Sequence, residues 1–179
     1  MGLYNFIEKY KVPENICDEL LIYYNKNTEY TYKRKDIKMT NDSVFFNSSQ
    51  HPTILKFFLE ISKAIKHYME KYNLIESLIT SVDNKIQHYQ PGVGYTTLHY
   101  ERHLSGSQAR NRQVVYMLYL NTIKEGGGTE FPFQGVITKP VKGDLILWPA
   151  DFTHPHRGII ASKEEKFIVT GWFEYNGFK

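Results

Sequence analysis

The chain holds a single cysteine, Cys17, among its 179 residues. One thiol excludes an internal disulfide framework and any zinc site built on cysteines. It also fits a reducing compartment. Long hydrophobic runs are missing too: no stretch approaches the roughly 20 apolar residues that cross a bilayer. Residues Met1 to Lys11 mix Glu8 and lysines with apolar positions, unlike a secretory signal. The expectation is a cytoplasmic protein with no membrane partner. Charge of one sign is scarce, with 22 basic against 19 acidic residues and a net +3. So even a balance argues against a dedicated nucleic-acid binder. There is no internal repeat at a period of roughly 20–50 residues and no low-complexity tract.

What is present reads as globular. Hydrophobic residues make up 41% of the chain and charged residues 23%, and a chain of this length buries about 70% of its unfolded surface. Aromatic content is high, at 15%, which favours sheets and aromatic-lined pockets. The pattern changes once, near residue 84. Before it, Pro13 suits a first helical position, and Ile16, Cys17, Leu20, Leu21 and Tyr24 recur at helical spacing. A second helix opens at Pro52, carries the stripe Ile54, Phe57, Phe58, Ile61, Ile65 and Tyr68, and ends near Tyr72-Asn73. Between them, a polar stretch from Asn25 to about Gln50 reads as strand and loop, with Val44 to Phe46 as a short strand. From Asn84 onward the period is two. Lys85–Gln90, Thr97–Glu101, Gln113–Leu120, Asp144–Trp148 and Lys166–Tyr175 read as strands, separated by turns at 91–94, 105–106, 126–128 and 142–143. The expected fold class is mainly β with N-terminal helices (α+β), a barrel or jelly roll with the helices packed on one face. Residues 1–179 are read as one domain, with 1–83 as helical support and flanking strands and 84–179 as the jelly-roll core.

Five of the seven histidines lie in the β-rich part: His88, His99, His103, His154 and His156. His99 and Glu101 form an HxE pair, and on a strand residues i and i+2 point to one face. An imidazole and a carboxylate would then project side by side, as two corners of the 2-His-1-carboxylate set that holds non-haem Fe(II). Zinc suits the same donors. Such a pair alone defines no site, because ordinary strands carry it often. A third ligand must come from a distant strand, and His154 or His156 can supply it. Lys166 begins an apolar strand, where an ammonium is costly unless it is paired or reaches solvent. A dicarboxylate would pair with it. Lys166, Ile168, Thr170 and Trp172 share one face of that strand.

These residues resemble the 2-oxoglutarate- and Fe(II)-dependent dioxygenases, in their prolyl 4-hydroxylase-like branch. Tyr89 to Tyr95 followed by His99-Tyr100-Glu101 is similar to the branch's tyrosine, glycine turn and HxD strand. Arg112 with Met117 to Asn121, the run Glu125 to Pro132, Lys142-Gly143-Asp144, and the spacing of His156, Lys166 and Trp172 continue the likeness over roughly residues 85–175. The resemblance implies a double-stranded β-helix, with His99, Glu101 and His156 as iron ligands. It implies that Lys166, Thr129 and Tyr89 bind 2-oxoglutarate, and that Arg112, Trp172 and Tyr95 line the substrate's approach. It implies Fe(II), 2-oxoglutarate and O2 as cofactors, with ascorbate as an auxiliary. Two departures stand out. Glu101 occupies the position where the branch usually has Asp, and one extra residue places Tyr95 four before His99.

The implied activity is hydroxylation of an unactivated C–H bond, with a peptidyl proline as the leading substrate and a protein or peptide as partner. A small metabolite or nucleobase would fit the same slot. The competing class is a cupin-like module that binds a metal or ligand without catalysis. Phe131, Phe133, Trp148, Trp172 and Phe173 are candidates to shield the site, with Phe133 and Phe173 read as plain core. The stretch Lys33 to Gln50 is a candidate cover for a peptide, or a surface excursion. The sequence does not fix an oligomeric state.

Overall fold

A computed structural model of the chain describes residues 4–34, 41–46, 51–75, 77–103 and 109–175. In chain order the elements are strand β1 (Glu8–Lys11), helix α1 (Glu14–Lys26), β2 (Tyr32–Arg34), β3 (Asn41–Phe46), α2 (Pro52–Tyr72), β4 (Leu78–Thr80) and β5 (Asn84–Tyr89). They are followed by β6 (Arg112–Tyr119), β7 (Thr129–Phe131), β8 (Val136–Ile137), β9 (Asp144–Pro149), β10 (Arg157–Gly158) and β11 (Lys166–Tyr175). The protein is therefore mostly β with two helices. The expected turn at 105–106, and parts of the 33–50 stretch, lie outside the described residues. The described parts of that stretch include β2 and β3, which pair with each other at a sheet edge.

Both helices begin and end where local chemistry directs. Pro13 is extended (ψ 134°) and sits just before α1 rather than inside it. Glu14 then places a negative charge in the first turn, where the helix dipole favours it. Pro52 occupies the first turn of α2, and Asn73 adopts the left-handed conformation (φ 53°) that closes the helix. The Leu74 N–H donates to the Met69 carbonyl at 3.0 Å, which satisfies a carbonyl the helix cannot.

A large antiparallel sheet runs in the order β1-β9-β6-β11-β5-β3-β2, with β4 adding to the far end of β11. A smaller sheet runs β10-β7-β8. Alternation along the large sheet sorts its side chains into two cores. Val114, Tyr116, Leu118, Leu145, Leu147, Ile86, Val169 and Phe173 pack with the buried stripes of α1 and α2. Val115, Met117, Tyr119, Ile146, Trp148, Ile168, Trp172 and Tyr89 face the other way and meet Phe131 of the small sheet. Cys17 is fully buried in the helical core, its Sγ 4.0 Å from the Tyr119 carbonyl, and burial pushes its thiol up to about 11.

Thr97–Glu101 is not a strand. His99 makes one isolated antiparallel bridge to His156, and the residues around it follow an extended loop. The ladder does not form because both neighbours of His99 leave the pairing at once. Phe133 is 72% exposed, so it is not core; it lies in the turn between β7 and β8, outside both packed faces.

Gly171 in β11 marks a close approach. A Cβ there would overlap the Tyr116 hydroxyl and the Asn84 carbonyl oxygen, which are themselves hydrogen-bonded and buried. Gly171→Ala is expected to destabilise the fold by about 2–3 kcal/mol, lowering Tm by roughly 5–10 °C in a thermal melt. An unchanged melt would show that this contact yields without cost.

Candidate active site

The site is built at the seam between the two sheets. His99 and His156 exchange backbone hydrogen bonds, N to O, at 3.1 and 2.8 Å. That exchange sets the two imidazoles side by side, with ring centroids 4.5 Å apart. Glu101 is fixed from a third direction: its N–H and that of Arg102 both donate to the carbonyl of Ala150, just past β9, at 3.0 and 2.8 Å. Donor atoms of His99, Glu101 and His156 all lie within 4.8 Å of one another. Glu101 Oε1 stands 3.4 Å from His99 Nε2 and 3.6 Å from His156 Nε2.

The far side of each ring fixes its orientation. His99 Nδ1–H donates to the Thr97 carbonyl at 2.8 Å, and His156 Nδ1–H to the His154 carbonyl at 3.0 Å. With Nδ1 protonated, each Nε2 presents a lone pair toward the same point, as metal-binding histidines do. His154 takes no part in the cluster. Its Nε2 faces the Asn5 carbonyl at 2.9 Å and its Nδ1 the Thr153 hydroxyl at 2.9 Å. The Tyr95 ring stacks on His99 at 4.1 Å, nearly parallel. Phe131 and Trp148 pack around His156 at 5.5 and 5.0 Å.

Burial works against charge on Glu101, yet the facing imidazoles of His156 and His99, when they carry a proton on Nε2, hold the carboxyl well below the usual range. Arg112 grips the outer oxygen: Nη1 donates to Oε2 at 3.3 Å. The same guanidinium lies 3.6 Å over the Trp172 ring and 3.5 Å from Asp83. Arg112 thus ties the carboxylate to the wall of the cavity.

Lys166 opens β11 opposite Tyr89 of β5 and is only 7% exposed. No carboxylate pairs with it among the described residues. Its Nζ lies over the rings of Tyr89 and Tyr119, at 5.5 and 5.7 Å. Burial lowers the ammonium to about 8. Buried Thr129 lies 3.4 Å from the Tyr119 hydroxyl, which also meets Thr138 Oγ1 at 2.7 Å. Asn41 Nδ2 donates to the Tyr89 hydroxyl at 3.4 Å.

A cavity of about 340 Å³ joins these groups. All nine side chains singled out in the sequence line it: Tyr89, Tyr95, His99, Glu101, Arg112, Thr129, His156, Lys166 and Trp172. Phe173 faces the helices instead. The sequence reading missed Lys85, Gln87, Met117 and Arg34, which also line the cavity. Alternation back from Tyr89 gives Gln87 and Lys85 the same face, so that signal was available. Arg34 left none, because its place depends on the β2–β3 hairpin returning to the sheet. Two imidazoles and a carboxylate form a donor set for ferrous iron or zinc. An uncompensated buried ammonium in the same cavity fits a small dicarboxylate beside that metal.

Comparison with known proteins agrees with this donor set. Residues 85–174 match the 2OG-Fe(II) oxygenase superfamily. Prolyl 4-hydroxylase 13 of Arabidopsis thaliana is 30% identical over 132 residues, which cover 60% of this chain and 43% of that protein. The chain spans less than half the length of the curated relatives it matches. Among solved structures, the viral collagen prolyl hydroxylase of Paramecium bursaria Chlorella virus-1, as its 2OG complex, superposes with a TM-score of 0.76 at 21% identity. That match covers 96% of this chain and 97% of the viral one. A Trichoplax adhaerens prolyl hydroxylase in complex with a hypoxia inducible factor peptide fragment superposes with a TM-score of 0.74 at 14% identity, covering 96% and 84%. Matched to the family over half its length, and sharing the jelly-roll fold of these neighbours, the chain belongs to the 2OG-Fe(II) oxygenase superfamily.

Proposed function

We propose that this protein is a 2-oxoglutarate- and Fe(II)-dependent dioxygenase that hydroxylates a peptidyl proline. The observation that carries the reading is the buried Lys166 amine, without a carboxylate partner among the described residues, in one cavity with His99, Glu101 and His156. A bare metal-binding module gives no reason to bury a cation there. Bound together, Fe(II), 2-oxoglutarate and O2 supply oxidative decarboxylation: CO2 leaves, one oxygen atom enters succinate and the other enters a substrate C–H bond.

The chain's own residues do the rest. His99, Glu101 and His156 hold the metal through Nε2, a carboxylate oxygen and Nε2. Lys166 receives the distal carboxylate of 2-oxoglutarate, and the hydroxyls of Thr129 and Tyr89 satisfy its remaining lone pairs. Phe131 and Trp148, both buried, exclude water on the His156 side. Arg112, Trp172 and Tyr95 line the path of the substrate. Beside the cavity an open groove runs past Leu98, Tyr100, Phe133, Phe152 and Pro155, which suits an extended chain more than a compact metabolite. The structural neighbours, a viral collagen prolyl hydroxylase and a prolyl hydroxylase in complex with a hypoxia inducible factor peptide fragment, support a peptidyl proline. Ascorbate as an auxiliary reductant and a cytoplasmic location belong to the same proposal. No helix among the described residues is long and apolar enough to cross a membrane.

Succinate release is expected to require added Fe(II) and 2-oxoglutarate, and to drop by about two orders of magnitude or more in His99→Ala. Turnover that ignores both additions would refute the assignment. Lys166→Ala should weaken 2-oxoglutarate binding by about 30-fold or more, as truncating a buried charge pair does, while iron affinity holds. Equal loss of both would point to misfolding instead. The pH dependence has two opposite signs. Lys166 lies over the Tyr89 and Tyr119 rings with no ion pair among the described residues, and its folded value lies at about 8 against 10.5 when free. Its burial cost is therefore present below about 8 and is relieved as pH rises toward 10.5. Affinity for 2-oxoglutarate should fall over that same window, by up to about tenfold per pH unit. Calorimetric titrations across the window check this, and a flat profile would remove Lys166 from the carboxylate site.

A further inference from the structure

The cavity carries more basic side chains than 2-oxoglutarate binding uses: Arg34 and Lys85 line it beside Arg112 and Lys166. Lys85 lies on β5 four residues before Tyr89, about 13 Å along the strand from the Lys166–Tyr89 pair. Lys85 pairs in register with Thr170, and Lys166 with Tyr89, so the two lysines stand at opposite ends of one cavity. The Lys85 ammonium is held between two rings, 5.7 Å from Phe45 and 5.6 Å from Trp172. Aromatic faces position a cation without neutralising it. The carboxylates around it are Glu101 and Asp83, and Arg112 engages both, at 3.3 and 3.5 Å. No ion pair forms on Lys85 among the described residues. Arg34 also lines the cavity, 5.7 Å over the Tyr95 ring, and forms no ion pair among the described residues. Lys85 is thus half-buried and positioned over Trp172, with Glu101 and Asp83 near it but engaged by Arg112, which leaves its ammonium able to receive a further anion.

We propose that Lys85, with Arg34 on the same cavity wall, determines specificity by receiving a carboxylate carried by the prime substrate. The acceptor residue would then have an acidic neighbour. This inference rests on the dioxygenase reading above and names the substrate class within it. A carboxylate has two sources: an Asp or Glu side chain beside the acceptor in a peptide, or the α-carboxylate of a free amino acid. The open groove past Leu98 and Phe152 favours the peptide.

The test uses the full chain with iron and 2-oxoglutarate, against short proline peptides with Asp, Gln or Lys beside the acceptor, and against free L-proline. Two quantities are read: equilibrium binding by fluorescence anisotropy, and oxygen incorporation by mass spectrometry. At low salt, Asp peptides are expected to bind about tenfold more tightly than Gln peptides, with the preference shrinking as salt rises. Lys85→Met should abolish the preference, and Lys85→Glu should turn it toward Lys peptides. Charge inversion is an outcome that mere loss of packing cannot produce. An acid preference that survives Lys85→Met, or no preference at all, overturns the inference. Free L-proline binding more tightly than every peptide also overturns the side-chain form and moves the carboxylate to the α-position. Oxygen incorporation without acid preference sinks this inference and leaves the prolyl reading standing. Acid-selective binding without incorporation at proline does the reverse.

Discussion

The reciprocal backbone bond between His99 and His156 is the constraint on which the site depends. It is an isolated pair rather than part of a ladder, so the joint between this loop and the segment leading into β10 rests, at this point, on two hydrogen bonds. Each of these residues also uses its side chain in the same place. The ring N–H groups fall on carbonyls two residues upstream, so backbone and side chain are oriented by one short stretch of chain. Glu101 reaches the cluster through Ala150 at the end of β9. Three parts of the chain therefore meet through main-chain contacts, which hold regardless of side-chain rotamer. Preorganisation of this kind lets donor atoms stand close together before any cation arrives.

Arrangement of charge follows from the same seam. Glu101 keeps its charge in a buried setting because two imidazoles and one guanidinium surround it. Arg112 is spent on that carboxylate and on Asp83, and it lies flat on Trp172. At the far end the Lys166 ammonium lies against two aromatic faces and meets no carboxylate among the described residues. Burying it that way opposes folding, and such local costs gather at sites where a ligand later relieves them.

Much of this was legible in the sequence where periodicity is long. The stripe of α2 and its Pro52 and Asn73 boundaries were readable because 21 residues repeat one pattern between two strong signals. The ten residues of β11 alternate cleanly, so the shared face of Lys166, Ile168, Thr170 and Trp172 followed. Short strands were not legible: β1, β4, β7, β8 and β10 span two to four residues, too few to show a period. The neighbours of His99 were read as a strand, although the proximity of His99 and Glu101 arises from a loop and a single bridge. Position i and i+2 gave the right juxtaposition by the wrong route. Local pattern also left His154 and His156 equivalent; only the fold turns one toward Glu101 and the other toward Asn5. Tyr119 lay in the run Met117 to Asn121 that carried the likeness, but its contact with Lys166, like the place of Arg34, is a contribution of tertiary pairing.

Cys17 has a practical consequence. The sequence contains no other sulfhydryl, and this one lies sealed beneath α1 against the inner strand, with its thiolate disfavoured by burial. Alkylating reagents act on the thiolate and need access to it. The native molecule should thus resist modification, and any label acquired reports excursions in which the helical layer lifts from the sheet. The protein carries its own single-site clock for those openings, located on the side of the sheet opposite the His99, Glu101 and His156 cluster.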